Sequence, residues 1–176
     1  GVPSWESVSS DVVKIASWNY SGAVSEVIFD DVFTSTYNSY RLHFSAIKPV
    51  SEGSSWLRIG YRTGGSSGAS LSTTYYAKYA EQYGTYSATA NGWGIQTDSV
   101  GAHIMNTWNL QTDNYHAYEC SGTVDFGQMN RQNWKPSFLY TIQWTDNNQL
   151  GFSKGLAYSN VDVATTPITG IRMDLD

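Results

Sequence analysis

In the stretch SSWLRIGYRTGG, residues 54–65, large apolar and polar residues alternate one by one. Leu57, Ile59 and Tyr61 fall on one side, and Trp56, Arg58, Gly60 and Arg62 on the other. A repeat of two is the repeat of a strand and does not match the 3.6-residue repeat of a helix. The same period runs through residues 40–47, where Tyr40, Leu42, Phe44 and Ala46 alternate with Arg41, His43, Ser45 and Ile47. Pro49 then ends the run, because proline has no N–H to give to a ladder. No sustained three-and-four spacing of apolar residues appears anywhere, while Gly, Ser, Thr and Asn recur throughout.

Further strands are expected near residues 102–110, 116–126, 137–144 and 149–158, and in ITGIRMDL after Pro167. DVVKIASW and AVSEVIF near the start supply two more. WTDNNQL reads as a compact hairpin turn, since Asp146, Asn147 and Asn148 tolerate left-handed backbone. Residues 71–94 read as a long excursion leading into a strand, with a helical turn or two where Tyr75, Tyr79 and Ala80 are spaced for one. Strands at this spacing, joined by Gly- and Asn-rich turns, predict an all-β, antiparallel two-sheet sandwich. A jelly-roll-like version with one long loop or short helical excursion is expected, as a single domain over residues 1–176. The lack of an internal repeat argues against a propeller or a solenoid.

Composition narrows the function classes. Only 14% of residues are charged, the net charge is -5, and the ten basic residues form no run. A nucleic-acid surface needs clustered Lys and Arg, so no nucleic-acid partner is expected. No apolar run approaches a membrane span, so no membrane insertion is expected. The one cysteine, Cys120, excludes an intrachain disulfide and reads as a buried apolar filler. Aromatic residues reach 15%, with 7 Trp and 13 Tyr, a bulk that suits cores, interfaces and sugar-binding faces alike.

No catalytic set emerges. Asp30 and Asp31 are adjacent, so on a strand they face opposite ways and cannot alone make a glycosidase pair. They are expected to cap the turn into TSTYNSY. His43, His103 and His116 stand in no ligand spacing, and neither DNNQ nor TDNYH has calcium-loop spacing, so no metal or other cofactor is expected. Sugar recognition needs rings edged with amides and guanidinium groups. Three stretches carry that mixture: YYAKYAEQYGTY with Tyr79 and Tyr83, NGWG with Trp93, and NRQNWKP with Asn130, Arg131, Asn133 and Trp134. The rival reading places the same rings in subunit contacts or the core. Arg58, Arg62, Lys78 and Arg131 together would make a local patch for anionic glycans.

The order of elements resembles a β-sandwich domain of tailed-bacteriophage fibres and related virion appendages. The resemblance rests on SEVIFDDVFTSTYNSYRLHFSAIKP, SWLRIGYRTGG, YYAKY, FGQMNRQNWKPSFLYTIQW and ITGIRMDL, in that order. Phe29, Phe33, Tyr37 and Tyr40 fill its early aromatic places, and Ile168, Thr169, Gly170, Ile171 and Arg172 its terminal element. Such domains often carry one further strand after that element, whereas this sequence stops at Asp176, so that strand is expected to be absent, supplied by a neighbour or replaced, and an uncovered edge would invite pairing. The resemblance implies a non-enzymatic head-fibre, tail-fibre or decoration domain on the virion. It also implies a homotrimer that contacts other virion proteins and binds a bacterial surface glycan. It transfers no site residues. A carbohydrate-binding module of a polysaccharide-active enzyme, or a purely structural capsid decoration protein, fits the same pattern.

Overall fold

The computed structural model of the chain describes residues 12–19, 22, 24–47, 56–84, 89–106, 119–127, 129, 135–145, 150–161, 163 and 165–175. The described residues form strands β1 (Glu26–Phe29), β2 (Ser39–Ile47), β3 (Trp56–Thr63), β4 (Ala69–Ser70), β5 (Tyr75–Gly84) and β6 (Thr89–Asp98). They continue with β7 (Ala102–Asn106), β8 (Glu119–Gly127), β9 (Ser137–Thr145), β10 (Leu150–Ser159) and β11 (Ile168–Leu175), and the one 3-10 turn among them is Gly65–Ser67. Two antiparallel sheets result. The five-stranded sheet runs β1-β11-β3, with β4 and β7 both beyond β3, and the six-stranded sheet runs β2-β8-β9-β10-β5-β6. The expected all-β, two-sheet antiparallel arrangement is therefore present.

The alternation in β3 is real: Leu57, Ile59 and Tyr61 are at most 1% exposed and face the other sheet. There Tyr61 meets Phe126 of β8 and Phe138 of β9, with Tyr61–Phe138 ring centroids 6.1 Å apart and Phe126–Phe138 5.4 Å. A gap in the β3 ladder is closed from across the core. β7 pairs as far as Ile59, and β4 pairs only from Arg62. At Tyr61 the N–H donates to the Tyr75 hydroxyl at 2.9 Å, and the C=O accepts from Leu71 N–H at 2.8 Å. The Tyr75 hydroxyl in turn donates to Leu71 C=O at 3.2 Å. Tyr75 belongs to β5, so its phenol ties one sheet to the other.

Three expectations need correction. Residues 71–94 are not a helical excursion but hold β5 and most of β6, paired from Tyr75↔Asp98 to Gly84↔Thr89. Tyr75 and Ala77 are buried while Lys78 and Ala80 are exposed, so the burial period is two and overrides the helix-forming Ala, Lys, Glu and Gln. Within DVVKIASW, residues 12–18 form no strand and all are exposed. In β2 the alternation breaks after Phe44: Phe44 pairs with Gly122 but Ile47 with Cys120, so one extra residue sits in β2. Ala46 takes φ 56° and turns outward, and Ile47 takes the inner side instead. This is a β-bulge, which re-aims side chains and ends pairing. The turn 146–149, the strand residues expected at 107–110 and 116–118, and the region 130–134 lie outside the described residues.

The glycines and aromatic residues explain each other. Tyr79 pairs with Gly94, Trp144 with Gly151, Tyr140 with Gly155 and Phe44 with Gly122 on adjacent strands of the six-stranded sheet. A Cβ on any of these glycines would meet the partner's ring. Each ring occupies the space a neighbouring side chain would take. In β10 the inward positions are accordingly all small: Gly151, Ser153, Gly155, Ala157 and Ser159. The large residues Leu150, Phe152 and Leu156 point out.

Candidate functional site

Two surfaces concentrate chemistry outside the core. The first is the outer face of the five-stranded sheet. Glu26, Asp174, Arg58 and His103 lie in one cross-strand row over β1, β11, β3 and β7. Arg58 Nε donates to Asp174 Oδ1 at 2.8 Å, and Arg172 Nε stands 2.7 Å from Asp174 Oδ2. His103 Nε2 is 2.7 Å from Asp98 Oδ2, and Val100 N–H donates to Asp98 Oδ1 at 2.6 Å. Burial disfavours the Asp98 carboxylate, but the Val100 N–H, His103 and Arg58 outweigh it and hold its pKa below the ordinary range. Arg172 crosses over Gly60, where a Cβ would strike the Val100 carbonyl at 2.6 Å. Gly60 therefore has a steric reason on a face otherwise lined by long side chains.

A second knot lies further along the same face. Arg62 grips Asp30 with Nε to Oδ1 at 2.7 Å and Nη2 to Oδ2 at 3.3 Å, and also donates to Gly68 C=O. Asp30 therefore fixes the β1–β2 connection to β3 and does not cap the turn. Thr34 caps it: Thr36 N–H donates to Thr34 Oγ1 at 3.3 Å. The Tyr40 hydroxyl accepts from Thr34 N–H at 2.7 Å and donates to Thr34 C=O at 2.6 Å. Asp31 adopts φ 55° and lays its carboxylate against Gly65.

Chemically this face is a set of closed ion pairs. Arg58, Arg62 and Arg172 are each matched by a carboxylate and shielded, with 10–12% of each side chain exposed. Arg58 and Arg62 thus make no cationic patch with Lys78, which lies on the other sheet. Among the described residues no group of three or more His, Cys, Asp or Glu is arranged to hold a metal ion. Cys120 is buried, and burial pushes its thiol up to about 12, which keeps it an unreactive filler.

The second surface is the outer face of the six-stranded sheet. Leu139, Leu156, Lys78 and Ile95 form one row across β9, β10, β5 and β6. Leu139 is 54% exposed, Leu156 44% and Ile95 61%. Phe152 is exposed two rows away, beyond Lys154, between Gln143 and Gln82. Tyr76 and Tyr158 stack as a cross-strand pair, centroids 4.9 Å apart. The same row runs on from Leu139 to Asp125 of β8 and Arg41 of β2, which form an exposed ion pair, and Lys154 stands in the row between Leu156 and Phe152.

Of the residues picked from sequence for sugar contact, Tyr79 lies on β5 with its ring over Gly94 and packed against the core. Tyr83 lies on β5 opposite Ala90, and Trp93 on β6 opposite Ala80, so both sit in strands rather than loops. Asn130, Arg131, Asn133 and Trp134 lie outside the described residues. The outer band was not singled out from sequence. Its signal was present in LGFSKGLAYS, where the alternate residues are all small and the large ones must take the other face.

No protein-family model matches the chain, and neither a curated protein nor a solved structure matches it. No helix among the described residues is long and apolar enough to cross a membrane.

Proposed function

We propose that this is a non-catalytic structural domain of a phage virion appendage, with a jelly-roll-like sandwich that assembles as a homotrimer. The observation that carries the assembly reading is the apolar outer band of Leu139, Leu156, Ile95 and Phe152 on a regular strand face. Several large apolar residues exposed on one strand face, here interspersed with Lys78 and Lys154, fit a protein contact. The charged face of the opposite sheet supports the same reading, because its pairs are closed and serve rigidity. The virion location rests on the order of sequence elements alone. A bacterial surface glycan is the expected ligand of the assembled form, with three weak sites acting through high effective concentration.

The test is the native mass of the wild type beside the double variant Leu139→Glu, Leu156→Glu. Both side chains are exposed in the single copy, so folding should survive, as read by circular dichroism. The proposal expects the variant to need at least tenfold more protein to reach the wild-type mass. A wild-type oligomer unmoved by the double change would remove the band from the assembly.

A further inference from the structure

Phe152 stands apart from the leucine row of the outer face. It lies about 14 Å along β10 from Leu156 at strand spacing, with Lys154 between them on the same face. Its own cross-strand row reads Ser121, Gln143, Phe152 and Gln82 over β8, β9, β10 and β5, with Asn91 at the next register position on β6. A ring 42% exposed therefore has an exposed glutamine on each side, one strand spacing away at about 4.8 Å. Beside Lys154 the β5 position is Ala80, which leaves a low place next to the lysine.

The charge here runs against that of the chain. The chain carries a net charge of -5. Yet the outward positions of β9, β10 and β5 hold two exposed lysines, Lys78 and Lys154, and no Asp or Glu. Arg41, Arg58, Arg62 and Arg172 each meet a carboxylate, whereas among the described residues Lys78 and Lys154 meet none. An exposed ring flanked by amides matches the apolar face of a pyranose and its hydroxyls. An unmatched lysine beside it matches an anionic group. An open strand face, unlike the concave pocket that holds a small molecule, suits an extended polymer.

We infer that the Phe152 end of the six-stranded sheet binds an acidic polysaccharide along β10. One pyranose lies on the Phe152 ring, and Gln82 and Gln143 take its hydroxyls. Lys154 takes the carboxylate or sulfate of that unit or the next. The leucine row remains for the contact between copies, with Phe152 at its margin. The inference rests on the glycan-binding reading and names the site and the charge of the sugar.

The experiment is affinity electrophoresis of the wild-type chain in gels carrying polygalacturonate, carrageenan or neutral dextran, at low and high salt. The chain as a whole is acidic and is repelled by both polyanions, so retention by either reports a local site. The wild type should be retained by at least one polyanion and not by dextran, and salt should weaken the retention because Lys154 is exposed. Phe152→Ala and Lys154→Gln should each weaken it about tenfold with native mass unchanged. Loss in Lys154→Gln alone would reduce the effect to charge attraction, and loss in Phe152→Ala alone, or equal retention in dextran, would remove the acidic class; each overturns the inference. A lower native mass for Phe152→Ala would put the ring in the contact between copies and overturn it too. Retention that neither variant moves would overturn the site and leave the glycan reading standing. No retention in any gel would overturn the inference and the glycan reading together.

Discussion

Removing one oxygen atom from each of two neighbouring tyrosines should move stability in opposite directions. The Tyr75 hydroxyl is the only partner shown for Tyr61 N–H, at 2.9 Å, and it also serves Leu71 C=O at 3.2 Å. Tyr75→Phe leaves both groups without that partner. Tyr61 is 0% exposed, so its N–H cannot regain water, whereas Leu71 is half-buried and its carbonyl partly can. An orphaned buried donor costs about 1–3 kcal/mol, and the second group raises the expected loss to about 2–3 kcal/mol. The Tyr61 hydroxyl is buried with no hydrogen-bond partner among the described residues. Tyr61→Phe removes an unsatisfied group and should stabilise by about 1 kcal/mol. Urea titration at constant m-value gives both differences. In thermal unfolding the gap between the variants should be about 6–16 °C, at about 2–4 °C per kcal/mol for a chain of this size. If Tyr75→Phe lies within 0.5 kcal/mol of wild type, or Tyr61→Phe is the worse of the two, the ladder-gap explanation is wrong.

Gly155→Ala should destabilise by about 2 kcal/mol or more, because its Cβ would enter the Tyr140 ring and the Lys78 carbonyl; urea titration reads it. Asp174→Asn should cost about 3–5 kcal/mol by leaving Arg58 and Arg172 without their shared carboxylate in a shielded site, again read by chemical denaturation. Stability should fall as pH rises above about 9. Burial pushes Cys120 and Tyr75 each up to about 12 and raises Tyr61 as well, so the unfolded chain releases protons that the folded chain keeps. Their contribution is whole below the ordinary values near 9 and 10 and is lost as pH climbs toward 12; a flat denaturation midpoint from pH 8 to 11 would contradict it. On the acid side, Asp98 is held low, so its contribution is present above pH 3.8 and disappears as pH falls below it, which an acid titration of the denaturation midpoint follows.

The fold class was legible because alternation is written into single strands. Leu57, Ile59 and Tyr61 needed no knowledge of their partners to be placed inside. β5 was misread because Tyr75, Tyr79 and Ala80 also fit the spacing of a helical turn. Only the ladder to β6 and β10, which sequence does not display, holds them extended. Residues 12–18 failed the other way: their local pattern is that of a strand, but no described neighbour pairs with them. The outer band was hidden by the rule that large apolar residues go inside. Trp144 and Tyr140 fill the space over Gly151 and Gly155, so Phe152 and Leu156 are turned out. The charged face was half visible, since Arg58 and Arg62 shared a side. Their partners, Asp174 and Asp30, are 116 and 32 residues away, and only the folded sheet unites them.

The central claim is assembly through exposed apolar elements, and the native mass of the wild-type chain tests it most directly. Light scattering coupled to size exclusion, run over a hundredfold range of concentration, should give a species at three times 19.5 kDa that persists on dilution. A species at 19.5 kDa at every concentration would contradict the account.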